Sequence, residues 1–446
     1  MSEVLTPPTA VPYLEDFEAF AAGRPAGEPQ RLATLRRDAF ARFAALGFPT
    51  LAQESWRYTD VRELARTRFQ PAWRERAAAA SARRFFFDGC THLVFGNGAF
   101  QPALSACGAV PSGVSITSLG QALRELPALV DRHLGRHARF DESPFVALNT
   151  AFLEDGALIY VPRGVVIEGP LHVVYVAAPG AGPTAAFPRT LIVAGENSQV
   201  TVVESYVALD EETPYLTCAV TEIVCEEGAV VDHYKLQREG AAGYHVAAQQ
   251  VWMGRNASFS SHSLSLGARL ARHDVNALLA GEGGDAVLNG LYLVRGEQHV
   301  DTQMRVDHLA AHCGSHELYK GILDGRARGV FNGRIHVHPG AQKTDAKQTN
   351  RNLLLSRQAL VNTNPQLEIF ADDVRCTHGS TVGQLDADAV FYLRSRGIGE
   401  EAAKSLLTYA FASDIVERIK VEPLRRDLEA HLFAWLPKGE VVREAV

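Results

Sequence analysis

Apolar positions along the 446-residue chain change their period twice. In the first third, Leu32, Leu35, Phe40, Phe43 and Leu46 recur at helical steps. They predict a helix that Gly47-Phe-Pro49 ends, as a C-terminal glycine and a following proline do. A second helical run is expected after Glu54-Ser-Trp-Arg-Tyr-Thr59, and Ala77–Ala80 with its flanking arginines reads as helix or linker. Arg84–Phe100 reads as paired strands turning near Gly96-Asn-Gly98, and Thr117–His137 returns to helical spacing.

From about Gly156 the helical period vanishes. Short runs such as Leu158-Ile-Tyr-Val161, Leu171-His-Val-Val-Tyr-Val176, Thr190-Leu-Ile-Val193 and Val200-Thr-Val-Val203 alternate with Gly, Asn and Glu-Gly turns, the pattern of successive strands. The turns echo one another at Gly195-Glu-Asn, Glu227-Gly, Gly254-Arg-Asn, Gly283-Gly and Asp324-Gly. The first four lie roughly thirty residues apart, an interval that favours stacked coils of a β-solenoid. A β-sandwich fits the strands almost as well. After Gly383 the helical period resumes: Asp386 caps a helix through Leu393 that Gly397 ends, and from Glu400 a stripe of Leu407, Phe411, Ile415 and Ile419 falls four apart. Pro423 leads into a last helix. The expected division is a mainly helical region 1–155, a β body 156–383 and a helical region 384–446.

Composition narrows the function. With 44 basic and 51 acidic side chains the net charge is −7, which argues against a nucleic-acid or anionic-membrane binder. The longest apolar stretch, Ala157–Pro179, is interrupted by Arg163, Glu168 and His172, so no transmembrane helix is expected. Met1–Phe20 carries acidic residues and no Lys or Arg, the reverse of a signal or transit peptide. The six cysteines, at 90, 107, 218, 225, 313 and 376, stand singly. That excludes a zinc ribbon, a thioredoxin motif and a self-sufficient ferredoxin, and points to a reducing cytoplasm. Neither a phosphate-binding loop nor a G-x-S-x-G elbow is present.

Two histidine groups invite a metal. His308, His312 and His316, with Cys313 between them, would share one face of a helix. On strands the first two stand about 13 Å apart, too far to chelate one ion. His336 and His338 alternate on a strand and read as polar core or surface residues. The sharper element is Asp372-Asp-Val-Arg-Cys-Thr-His-Gly-Ser-Thr-Val-Gly383, in which Cys376 and His378 project to the same side of a strand. Thiolate and imidazole suit iron, copper or zinc, but two ligands are too few for a cluster. Either a partner supplies the rest, or these are a buried cysteine and a hydrogen-bonded histidine.

This motif, together with Asp345–Ser356, Pro365–Ile369 and the continuation to Ile398, closely resembles the SufB/SufD family of iron–sulfur cluster assembly proteins. Trp56-Arg-Tyr-Thr59 and Asn149-Thr-Ala-Phe152 resemble its N-terminal elements. The Cys-Thr-His-Gly-Ser-Thr wording is in the style of SufD, where SufB typically has Cys-x-His-Glu-Ala-Thr. The resemblance implies a right-handed parallel β-helix core flanked by N-terminal and C-terminal α-helical domains. It implies pairing with SufB and carriage by two copies of the ATPase SufC on the C-terminal helices, with a sulfur donor protein acting indirectly. ATP hydrolysis would belong to SufC, and this chain would be a non-catalytic, cytoplasmic scaffold subunit; a homodimer is an allowed state of the isolated chain. A transient iron–sulfur cluster would form at the SufB interface, with His378 as a ligand and Cys376 as a secondary contact, and none would be held permanently by this chain alone. Leu407, Phe411 and Ile415 would either face SufC or form core within their own domain. Two other readings stand beside this one. One is a structural partner that stabilises SufB without touching the cluster. The other is a carbohydrate-active β-helix enzyme, which needs converging carboxylates that the β region lacks.

Overall fold

The computed structural model describes residues 13–445, apart from 26–27, 73–79, 107, 109, 179 and 181. The chain folds as a parallel β-solenoid with helices before and after it. Helices Leu14–Ala22 and Gln30–Leu46 come first, and the second ends where expected, on Gly47 at φ 65°. Of the expected stripe, Leu32, Phe40 and Phe43 are buried and Leu35 and Leu46 half-buried, while Arg36 and Ala39 complete the buried face. Phe17 stacks on Phe40 at 4.2 Å, and Phe152 meets Phe17 edge-on, so an aromatic core ties these helices to the solenoid. The helical run expected after Thr59 is one five-residue helix, Arg62–Arg66, and the motif before it holds a 3-10 turn at Glu54–Trp56. Residues 77–79 lie outside the described residues, and Ala80–Phe85 is a 3-10 turn. Strands Thr91–Gly96 and Ala99–Phe100 pair antiparallel around Asn97 and Gly98, both at positive φ, as a tight hairpin turn requires. Between 117 and 137 the chain forms two short helices, Leu119–Glu125 and Pro127–His133, behind the strand Ser115–Ser118.

Eight coils follow, each contributing a strand to one sheet through Leu171–Ala177, Gln199–Ala208, Val230–Arg238, Ser258–Ser265, Asp285–Val294, Gly314–Leu323, Asp345–Leu354 and Arg375–Gly383. The facing sheet runs from Gly156–Val161 to Leu360–Ile369, and successive coils pair in parallel throughout. Thr91–Gly96 extends the first sheet in parallel, and Ser115–Ser118 joins the second antiparallel.

The turn echo has a structural cause. Asn197, Gly228, Asn256, Gly283, His312 and Lys343 occupy one corner of successive coils, all at φ between 53° and 74°. At each corner the N–H donates to the carbonyl of the next coil, for example Asn197 to Glu227 and His312 to Gln342. Glycine and asparagine adopt this left-handed geometry at low cost, so four of these corners were legible. His312 and Lys343 adopt it without that signature. The Asp324-Gly325 echo is a corner of the opposite edge, shared with Gly296.

The two N-terminal motifs anchor helices to coils. Arg272 lies 3.6 Å over the Trp56 ring and donates to the Ser55 carbonyl and to Asp301, which also accepts from Thr59 Oγ1 at 2.6 Å. Asn149 donates to the carbonyls of Pro188 and Cys218 on two coils. At the other end, helices Glu400–Val416 and Glu422–Trp435 fold back along the outside of the solenoid. There Ile415, Val416, Ile419, Leu424, Leu428 and Leu432 pack on Tyr234, Leu264, Leu291 and Ile322. Among the described residues no helix is long and apolar enough to cross a membrane.

Candidate functional site

The solenoid ends openly. Its last strands, Leu360–Ile369 and Arg375–Gly383, each have one hydrogen-bonded neighbour among the described residues. In strand Asp345–Leu354, Ala346, Gln348, Asn350 and Asn352 are the buried, inward-facing row. Parallel register places Cys376 opposite Ala346, His378 opposite Gln348, Ser380 opposite Asn350 and Val382 opposite Asn352. These four therefore continue the inward row on the last coil, over which no further coil lies among the described residues.

Both residues of the Cys-x-His motif are brought to this end. Cys376 is half-buried, packed with Ile335, Val337, Ala341, Ala346 and Ala371. Burial pushes its thiol up, and the Ala346 backbone only partly offsets that. His378 is exposed. The corner before the strand is held by Lys343, which pairs with Asp373, and by Arg375 N–H on the Thr344 carbonyl at 2.8 Å. The motif thus has its thiol packed against the coil below and its imidazole exposed.

The register also aligns two residues that the motif alone did not indicate. Glu317, Gln348 and His378 occupy one column across three coils. Gln348 Nε2 donates to Glu317 Oε2 at 2.5 Å. Glu317 is buried, which raises its carboxyl to about 8 despite that bond. Only the pairing of strands thirty residues apart reveals the column; no local signal does.

Around the open end large apolar side chains stand exposed among polar ones such as Asn362, Asn364, Asp372 and Thr377. Leu360, Phe370 and Val382 are 53%, 61% and 46% exposed. On helix Ala387–Ser395, which buries no residue, Phe391 and Tyr392 are 70% and 57% exposed. Large exposed apolar side chains of this kind are candidates for an interaction surface.

The other sequence candidates are dispersed. His308 points inward to Ser315 Oγ at 2.9 Å, and burial lowers it to about 4. His312 and His316 are exposed, and Cys313 is buried with Sγ 3.3 Å from the Gly281 carbonyl. On the C-terminal stripe, Ile415 is fully buried against the solenoid, while Leu407 and Phe411 are half-buried. Lys320 Nζ lies over the Phe411 ring and donates to its carbonyl at 2.9 Å.

Fold and site together define a scaffold: a β-solenoid that presents a Cys-x-His strand on its uncovered last coil. The chain matches the family described as SUF system FeS cluster assembly, SufBD core domain, over residues 175–411, and the SufBD protein N-terminal region over residues 10–173. It belongs to the SufBD family of iron–sulfur cluster assembly proteins. A SufBD family protein of Synechocystis is 33% identical over 407 residues, 89% of this chain and 90% of that protein. The iron–sulfur cluster assembly protein SufD of Escherichia coli is 32% identical over 426 residues, covering 95% and 96%. SufD of Bacillus subtilis is 30% identical over 321 residues, 71% and 72%.

Proposed function

We propose that this chain is the SufD-like, non-catalytic subunit of a cytoplasmic scaffold that pairs with a SufB-like subunit and builds a transient iron–sulfur cluster at their junction. The observation that carries the proposal is the open last coil, where His378 stands exposed on an inward-type row and Leu360, Phe370 and Val382 of the same coil are exposed. A second solenoid docked there would cover Leu360, Phe370 and Val382 and bring its own ligands to His378. Cys376, protonated and packed, serves as a secondary contact. In organisation the chain would comprise 1–155, 156–383 and 384–446, the last carrying a SufC-like ATPase. Because Ile415 is spent on the intramolecular core, contact with that ATPase would run through Leu407 and Phe411 and the exposed side of their helix. Sulfur would reach the site from a donor protein through the SufB-like subunit.

The test is co-expression with SufB-like and SufC-like chains, followed by purification and assay of iron and sulfide. One stable complex carrying both, with cluster lost but assembly kept in His378→Ala, is the expected result. An intact complex whose cluster yield ignores His378→Ala would favour the purely structural partner. Failure of the three chains to associate would refute the proposal.

A further inference from the structure

The outer face of the second sheet holds a group of ligating side chains that the shared-cluster reading does not use. Asp307 lies next to the end of strand His299–His308. The following strand, Arg328–Val337, sets His336 directly opposite it in register. His338 follows just past that strand, where its N–H donates to the His308 carbonyl at 3.0 Å. Strand alternation turns His336 and His338 to one side, away from the inward-facing Ile335 and Val337. Asp307 Oδ1 is 3.1 Å from His336 Nδ1 and 3.6 Å from His338 Nε2. The two rings stand 4.1 Å apart between centroids, and one ligand atom from each residue lies within 4.8 Å of the other two. The three side chains are 13%, 19% and 34% exposed, and Phe370 walls the group edge-on to His336 at 5.5 Å.

We propose that Asp307, His336 and His338 bind one divalent first-row transition-metal ion. Two imidazoles and one carboxylate form a set that Fe(II) and Zn(II) favour, and three protein ligands leave a position open to water or an exchanging ligand. The carboxylate is already oriented: Arg305 grips it through Nε on Oδ2 at 2.6 Å and Nη2 on Oδ1 at 2.9 Å. That fork occupies one edge and leaves Oδ1 a lone pair directed to the histidines, the supporting contact that ligating carboxylates usually have. Glu368, opposite His336 on the neighbouring strand Leu360–Ile369, and Glu142 both act on Arg305 and offset its charge. Because Cys376 and His378 belong to an inward row of the other sheet, this site and the cluster ligands are separable.

The full-length chain, stripped with a chelator and kept reduced, is titrated with Co(II), and then with Zn(II) and anaerobic Fe(II) in competition. One Co(II) per chain with ligand-field absorption is expected, unchanged in His378→Ala and Cys376→Ser. His336→Ala and His338→Ala should each weaken binding by at least about tenfold, the scale on which support to a metal site is lost. Asp307→Asn, which keeps the shape of the side chain, should do the same if an alanine variant fails to fold. The proposal is overturned if the wild type takes up none of the three ions. It is equally overturned if the three site variants bind like wild type, or if uptake is lost only in His378→Ala.

Discussion

Arg189 and Glu222 form an ion pair with neither side chain exposed, Nη2 to Oε1 2.5 Å, at the seam between the N-terminal helices and the solenoid. Glu222 also accepts the backbone N–H groups of Gly135, His137 and Ala138, and Arg189 Nη1 donates to Asn149 Oδ1. Burial raises the Glu222 carboxyl, but Arg189 and those N–H groups more than compensate and leave it below its ordinary value. Removing one partner strands the other charge in the interior. Glu222→Ala should therefore cost about 3–5 kcal/mol, read as a lower urea midpoint. The double change Arg189→Met with Glu222→Leu should cost less than the sum of the single losses. A midpoint unmoved by Glu222→Ala would mean that the pair carries no stability.

Tyrosines and glycines interlock between the coils beyond. A Cβ at Gly321 would meet Tyr292 Cε2 at 1.9 Å, and one at Gly290 would meet Tyr319 Cε1 at 2.1 Å. The residues pair crosswise in register, Tyr292 with Gly321 and Gly290 with Tyr319. Each ring thus fills the space left by the glycine of its neighbour. Gly321→Ala should overpack this layer and destabilise by about 1–3 kcal/mol, with part of the loss recovered when Tyr292→Leu is added. Thermal unfolding of the two variants decides it, and an unchanged melting temperature in Gly321→Ala would contradict the interlock.

Glu317 should give the fold a pH dependence. Its carboxyl rises from an ordinary 4.5 to about 8 because it is buried. Between those values the native state keeps the proton and the unfolded state releases it, so this group lowers stability as pH climbs through that window. Above about pH 8 its contribution is constant. Glu317→Gln removes the effect, so the variant should gain on the wild type progressively from pH 5 to 8, by at most about 5 kcal/mol. The difference between the two curves is the measurement. The buried His308 and His262, both lowered to about 4, slope the opposite way at acid pH in both proteins. A flat difference would mean that Glu317 is ionised throughout.

The two motif residues should behave unequally. Cys376 must lose a proton against a raised thiol and leave its packing with Val337 and Ala346 to become a thiolate ligand. His378 is exposed and has no such packing to leave. In a reconstituted complex, His378→Ala should lower cluster yield by at least about tenfold, and Cys376→Ser should retain most of it. Acid-labile sulfide per complex reports both, and the reverse order would make Cys376 the principal ligand.

The changes of period that separate helix, solenoid and helix were legible because each depends on residues a few positions apart. The helix ended by Gly47, the strands near Leu158 and Val200, and the corners at Asn197, Gly228, Asn256 and Gly283 all follow from local period and turn chemistry. The Cys-x-His pair was legible for the same reason, since two residues on one strand share a side. Other features depend on which strand lies beside which. His312 and Lys343 turn corners without a turn residue's signature because the neighbouring coils hold them there. Ile415 reads equally as a docking stripe or as core until the solenoid face it covers is known. Asp307 and His336 are distant in sequence and adjacent only through parallel register, as are Glu317, Gln348 and His378. The sequence by itself determined where helix gives way to strand, which residues turn four of the corners, and the Cys-x-His pair, while solenoid and sandwich both fitted its strands. The tertiary structure decided which side chains meet, because register between strands is set by the whole stack of coils and not by any one of them.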